Sequence, residues 1–128
     1  MKKSIYRIHV IVLLSFLLCP LIVIYPSQIA GKSGDIASFY GDGEKLNKYT
    51  ANGEVFNSDD LTCASWHYPF NTKLKVVNHL NGKHTIVRVN DRGPNKRLGR
   101  SIDLTKKAFS KIADTKEGLI FVKIEKVS

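Results

Sequence analysis

The stretch T-K-L-K-V-V-N-H-L-N-G-K-H-T-I-V-R-V-N, residues Thr72 to Asn90, decides the fold. Leu74 and Val76 before Asn81-Gly82, and Ile86, Val87 and Val89 after it, form two β-branched runs with partial alternation. Asn-Gly between such runs predicts a hairpin with a two-residue type I′ turn, because both central residues then take positive φ. The second run continues into V-N-D-R-G-P, which places Asp91 at a strand end with Arg88 and Arg92 nearby. Two roles suit an aspartate there. It satisfies the backbone of the turn before Gly93-Pro94, or it moves a proton. By strand parity Arg88 faces away from Asp91, so Arg92 and the loop path decide the local charge.

Working outward from the hairpin, D-I-A-S-F-Y-G, Asp35 to Gly41, reads as a strand closed by glycine. Gly41 to Asn52 is a Gly-, Lys- and Asn-rich loop. Glu54 to Phe56 reads as a short strand before the turn Asn57 to Asp60. After Pro94 come the basic loop N-K-R-L-G-R and the short apolar piece Ser101 to Leu104. Thr105 is a fitting N-cap for a helix whose Ala108, Phe109, Ile112 and Ala113 share one face. Asp103 reads as support for that helix start. A last strand, L-I-F-V-K-I-E, follows Gly118. About six strands and one short helix imply a mostly β domain whose sheet closes to hide its edges.

The N-terminal 31 residues read differently. Lys2, Lys3 and Arg7 precede an apolar run from Val10 to Ile24, the pattern of an export signal. That run is shorter than the roughly 20 residues that span a bilayer comfortably. Ile29-Ala30-Gly31 offers small residues for cleavage, so residues 1–31 are either a removed signal peptide or a retained anchor that associates with the membrane. Leu18 before Cys19 and Pro20 after it argue against lipid attachment. Residues 32–128 form one domain. The leader takes three of the cations, so the formal charge of +9 on the whole chain leaves +6 on this domain. A basic exported domain faces anionic wall polymers, acidic glycans or lipid head groups, and export excludes nucleic acid as a partner. Cys63 is the one thiol of the domain, reads as a small buried residue, and has no internal disulfide partner. His79 and His84 flank the hairpin without metal-ligand spacing, so neither a metal nor a cofactor is expected.

Five motifs in order, A-S-F-Y-G, T-A-N-G-E-V-F-N, L-T-C-A-S-W-H-Y-P-F-N-T-K-L-K-V, V-N-D-R-G-P and G-R-S-I-D-L-T, resemble those of the rare lipoprotein A-like septal lytic transglycosylases and, more distantly, the expansins. The resemblance runs from about Ile36 to Ile124. It implies a six-stranded double-psi β-barrel with one short helix, acting on peptidoglycan glycan strands in the periplasm or cell envelope. By the same resemblance Asp91 is the essential acid, Glu54 belongs to the same groove and Tyr40 lines the glycan cleft; Ser65, Trp66, His67 and Asn90 are the further residues expected to bind the glycan. The family's His after its T-A-A motif is replaced here by Ser65, and His67 shares its face if the segment is extended.

The chemistry behind the resemblance is specific. Cleaving a β-1,4 glycosidic bond requires a proton on the leaving oxygen as the sugar carbon becomes cationic. A hydrolase adds a second carboxylate for water or for direct attack. A lytic transglycosylase uses the muramic acid's own C6 hydroxyl, so a single carboxyl acts as acid and then as base. Glu54 close to Asp91 would favour the protonated form of one of the two. Trp66, His67 and Tyr68 form either a sugar-stacking edge or part of the core. The expected activity is MurNAc-GlcNAc cleavage to 1,6-anhydro-MurNAc ends, by a monomer. The rival is an expansin-like module that grips wall glycan without cutting it, which the loss of the family His at Ser65 favours.

Overall fold

The computed structural model describes residues 34–44 and 46–128, and the predicted leader, with its choice between cleavage and anchoring, lies outside the described residues. Six strands follow in chain order: β1 (Asp35–Tyr40), β2 (Thr62–Ala64), β3 (Lys73–Asn78), β4 (His84–Asp91), β5 (Ile102–Thr105) and β6 (Ile120–Lys126). Among the described residues one α-helix, α1 (Lys106–Ser110), sits between β5 and β6. The strands close into a barrel in the order β1-β5-β2-β4-β3-β6. The β1–β5 and β2–β4 pairs are parallel, and the other neighbours are antiparallel. Closure leaves no sheet edge exposed, which is what the many short strands of the sequence required.

Strands β3 and β4 and the first half of β6 bury alternate side chains, whereas all three residues of β2 are buried. On β4 Thr85, Val87 and Val89 point in while His84, Ile86 and Arg88 point out or lie half-buried. Leu74 and Val76 from β3, Ile102 and Leu104 from β5, and Ile120 and Val122 from β6 meet them in one core. Thr105 caps α1 by accepting from the Ala108 N–H at 3.3 Å, and Ala108, Phe109 and Ile112 then join the barrel core. The Phe109 ring packs 4.8 Å from that of Phe39. Each fully buried side chain of this size contributes about 1.5–3 kcal/mol of hydrophobic stabilisation. Cys63 lies fully buried in the core, and burial pushes its thiol up to about 12.

Two local expectations change. The hairpin is present, with Val77 opposite His84, but its connection is longer than a type I′ turn. Gly82 has positive φ and Asn81 does not. Side chains determine the turn instead. Asn78 Oδ1 accepts from the Leu80 N–H at 2.9 Å, Asn81 Oδ1 accepts from the Lys83 N–H at 2.9 Å, and both amides donate to the Ile112 carbonyl. Residues 54–56 do not form a barrel strand. The chain there doubles back on itself, with Thr50 N–H to the Glu54 carbonyl at 2.8 Å and one isolated bridge between Tyr49 and Val55. The second barrel strand is the buried triplet Thr62-Cys63-Ala64, too short to show a period in the sequence.

One irregularity positions the site. Cys63 pairs with Val89 and Ala64 with Asp91, so β4 spends one extra residue, Asn90, against β2. Such a bulge re-aims the side chains that follow it. Asn90 is buried against the alternation, and Asp91 emerges at the strand end.

Candidate active site

Asp91 is held by two backbone donors on one oxygen. Oδ1 accepts from the Ala51 N–H at 2.9 Å and from its neighbour Arg92 N–H at 2.8 Å. Oδ2 faces the Tyr40 hydroxyl at 3.5 Å. Neither flanking guanidinium pairs with it. Arg92 donates to the Ser65 and Tyr68 carbonyls at 2.8 and 3.0 Å, and its guanidinium lies 3.8 Å from the Phe70 ring centroid. Arg88 points to the other face of β4, as parity requires, and binds Glu54.

Asp91 opens into a cleft of about 480 Å³. The Leu46–Phe56 loop supplies Tyr49, Thr50, Ala51 and Phe56, among others, and the strands supply Tyr40, Ala64 and Asp103. Tyr40 and Phe56 rings pack at 4.9 Å. Gly41 makes this packing possible: its φ is +89°, and a Cβ there would lie 2.6 Å from the Phe56 ring. Burial, and then the Asp91 charge, raise the Tyr40 hydroxyl well above its ordinary value, so it stays a neutral donor beside Asp91. Tyr49, more than half exposed (56%), presents an aromatic ring at the lip.

Asp103 is the residue that sequence reasoning misplaced. The helix start is served by Thr105, which also donates to the Asp60 carbonyl at 2.5 Å. Asp103 instead lines the cleft with Asp91. Ser38 donates to its Oδ1. Its carboxyl is raised mainly by burial, with Glu44 and Asp91 adding to the rise while Ser38 and Arg100 oppose it. The turn after Asp91 runs close by: a Cβ on Gly93 would sit 3.7 Å from Asp103 Oδ2 and 3.4 Å from Ala64 Cβ. The parallel pairing of β1 with β5 sets Ser38 beside Asp103, a contact across 65 positions that local pattern reading misses.

Glu54 lies outside the cleft lining and faces Arg88. The pair is bidentate, at 2.6 and 2.9 Å, and the Asn52 and Asn90 amides donate to the same carboxylate at 2.9 and 3.1 Å. Arg88 first, and then these amides, hold the Glu54 carboxyl down at about 2. The arrangement ties the Thr50–Glu54 turn to β4, reinforced by Asn52 N–H to the Asn90 carbonyl at 3.2 Å. That turn carries the Ala51 N–H that holds Asp91. Glu54 and Asn90 therefore bear on Asp91 through the backbone that orients it.

Ser65 is buried and also works from behind. Its N–H donates to the Asp91 carbonyl at 3.1 Å, and its Oγ accepts from the His67 N–H at 3.2 Å. This turn puts Ser65 inside and His67 outside, so the two do not share a face. Neither residue lines the cleft. Tyr68 packs partly on the core. Trp66 remains 47% exposed and is pinned by its Nε1–H to the Pro94 carbonyl at 2.7 Å.

A closed six-stranded barrel with interleaved parallel pairs and an acidic, aromatic cleft at its strand ends is a double-psi β-barrel. The sequence profile of the lytic transglycolase family matches residues 32–124, and the chain belongs to that family. It is 46% identical over 105 residues to the endolytic peptidoglycan transglycosylase RlpA of Campylobacter jejuni, covering 79% of this chain and 37% of that one. It is 47% identical over 91 residues to the RlpA of Rickettsia bellii, covering 70% of this chain and 40% of that one. The chain thus spans about two fifths or less of the length of these curated relatives. Its fold is also similar to that of a Clavibacter michiganensis expansin solved with cellohexaose, with a TM-score of 0.58, 19% identity, and coverage of 74% of this chain and 50% of that one. The Streptomyces papain inhibitor shares the fold to the same degree, with a TM-score of 0.58, 22% identity, and 77% and 96% coverage.

Proposed function

We propose that this chain is a peptidoglycan lytic transglycosylase of the cell envelope, exported by its N-terminal segment and acting as a monomer, with Asp91 as its acid and base. The observation that carries the reading is the unequal use of the two Asp91 oxygens. Oδ1 is occupied by two N–H donors, and Oδ2 is left at the cleft beside a neutral phenol. Oδ2 gives its proton to the bridging oxygen as the bond from the muramic C1 breaks. The C6 hydroxyl oxygen of the same sugar then bonds to C1, and its proton returns to Oδ2. Asp103 adds a second acidic group that favours the positive charge growing at C1. Tyr40 lines the cleft and holds Asp91, while Glu54, Asn90 and Ser65 are positioning residues. The relatives named as endolytic peptidoglycan transglycosylases support this substrate and reaction.

Release of anhydro-ended fragments from purified sacculi by residues 32–128 tests it. Asp91→Asn is expected to reduce the rate by about 100-fold or more, the usual contribution of a general acid–base group. Sacculi left intact by the unmutated domain would sink the enzymatic reading.

A second reading, an expansin-like module that binds glycan without cutting it, draws on Ser65 in place of the family histidine and on a cleft with no histidine among the described residues. It predicts retention on insoluble peptidoglycan, with no soluble product and no change on Asp91→Asn.

A further inference from the structure

The tryptophan beside the cleft is not used by the reaction above, yet it is held too firmly for an idle surface residue. The Trp66 indole is fixed at both ends of its polarity. Its N–H is bonded to the Pro94 carbonyl, and the Lys96 ammonium lies 4.8 Å from the ring centroid. A single ammonium covers only one face of a ring, and nearly half of the residue is open to solvent. The platform is tied through the backbone to the segment that carries Asp91. Pro94 stands three residues after Asp91, and Ser65, the residue before Trp66, accepts from the cleft-lining Arg92 and donates to the Asp91 carbonyl. Lys96, exposed on the same loop, has no acidic partner among the described residues.

A rigid aromatic face next to an unpaired cation matches one ligand chemistry. The apolar face of a pyranose ring stacks on an indole at little entropic cost. A carboxylate carried on that sugar meets the ammonium in place of water. We propose that Trp66 and Lys96 form a flanking subsite that binds a sugar ring bearing a carboxylate substituent, one or more units along the strand from the scissile bond. The proposal rests on the glycan-cleaving reading and names the polymer's acidic sugar as what the chain grips outside the cleft.

Trp66 is the only tryptophan in the sequence, so its emission reports this subsite directly. Short glycan strands freed of peptides, in which alternate sugars carry a lactyl carboxylate, are titrated into the wild-type protein in the cold and into Asp91→Asn. N-acetylglucosamine oligomers of equal length serve as the neutral control. The expected result is a saturable emission change with the acidic strands, and binding about threefold or more weaker for the neutral oligomer, as befits one solvent-exposed ion pair. Lys96→Gln keeps the fluorophore and is expected to erase the difference between the two ligands. Emission that stays constant while sacculi are still cut overturns the subsite and leaves the catalytic reading standing. Emission that responds equally to both ligands overturns the carboxylate preference. Emission that responds to the acidic strands without any anhydro product upholds the subsite and removes the lyase.

Discussion

Asp91 lies between two arginines in sequence and pairs with neither in space, because each guanidinium has a better-placed partner. Arg92 is fixed by two carbonyls and the Phe70 ring, and Arg88 by a bidentate carboxylate. The Arg88–Glu54 pair also has a signature in stability. Glu54 is held at about 2, below its ordinary 4.5, so its contribution is whole above pH 4.5 and fades as the pH falls toward 2. Both side chains are a third exposed or more, which limits the contribution to about 1 kcal/mol. Denaturant unfolding of the wild type and Glu54→Gln is expected to show that gap near neutrality and to lose it in acid. A gap that does not change with pH would mean that the pair is held by packing rather than by charge.

At the scale of elements, the hairpin and the sheet texture were legible because β-branched alternation is a local signal. The bulge at Asn90 and the β1–β5 pairing were not, since both depend on partners far along the chain. This is why Asp103 read as a helix-start residue and Glu54 as a second acid of the cleft, while Asp91 and Tyr40, each carried by a local motif, both line the cleft. The turn type was misread for a similar reason. Asn78 and Asn81 serve the Ile112 carbonyl of the segment after α1, more than 30 positions away, and that tertiary anchor overrides the Asn-Gly preference. Asn78 is almost fully buried, so Asn78→Ala removes two hydrogen bonds from a dry site. The expected cost is about 1–3 kcal/mol, a fall in Tm of about 10 °C, read by thermal unfolding. An unchanged Tm would show that the turn carries no such anchor.

For the molecule as a whole, charge and chemistry act at different ranges. The +6 on residues 32–128 favours approach to an anionic polymer, and ordinary salt screens that attraction within about 10 Å. Retention on sacculi is therefore expected to fall several-fold between about 50 and 500 mM salt, while product identity stays the same. Salt-independent retention would place binding in the aromatic contacts alone.

The sharpest question concerns what attacks the sugar carbon, because a cleft with both Asp91 and Asp103 has the residues for hydrolysis as well. Digesting sacculi in water enriched in heavy oxygen and weighing the released fragments answers it. Attack by the sugar's own C6 hydroxyl predicts anhydro ends with no heavy oxygen incorporated, formed by the wild type and not by Asp91→Asn. Reducing ends that carry one heavy oxygen each would show that water is the nucleophile and would contradict the account.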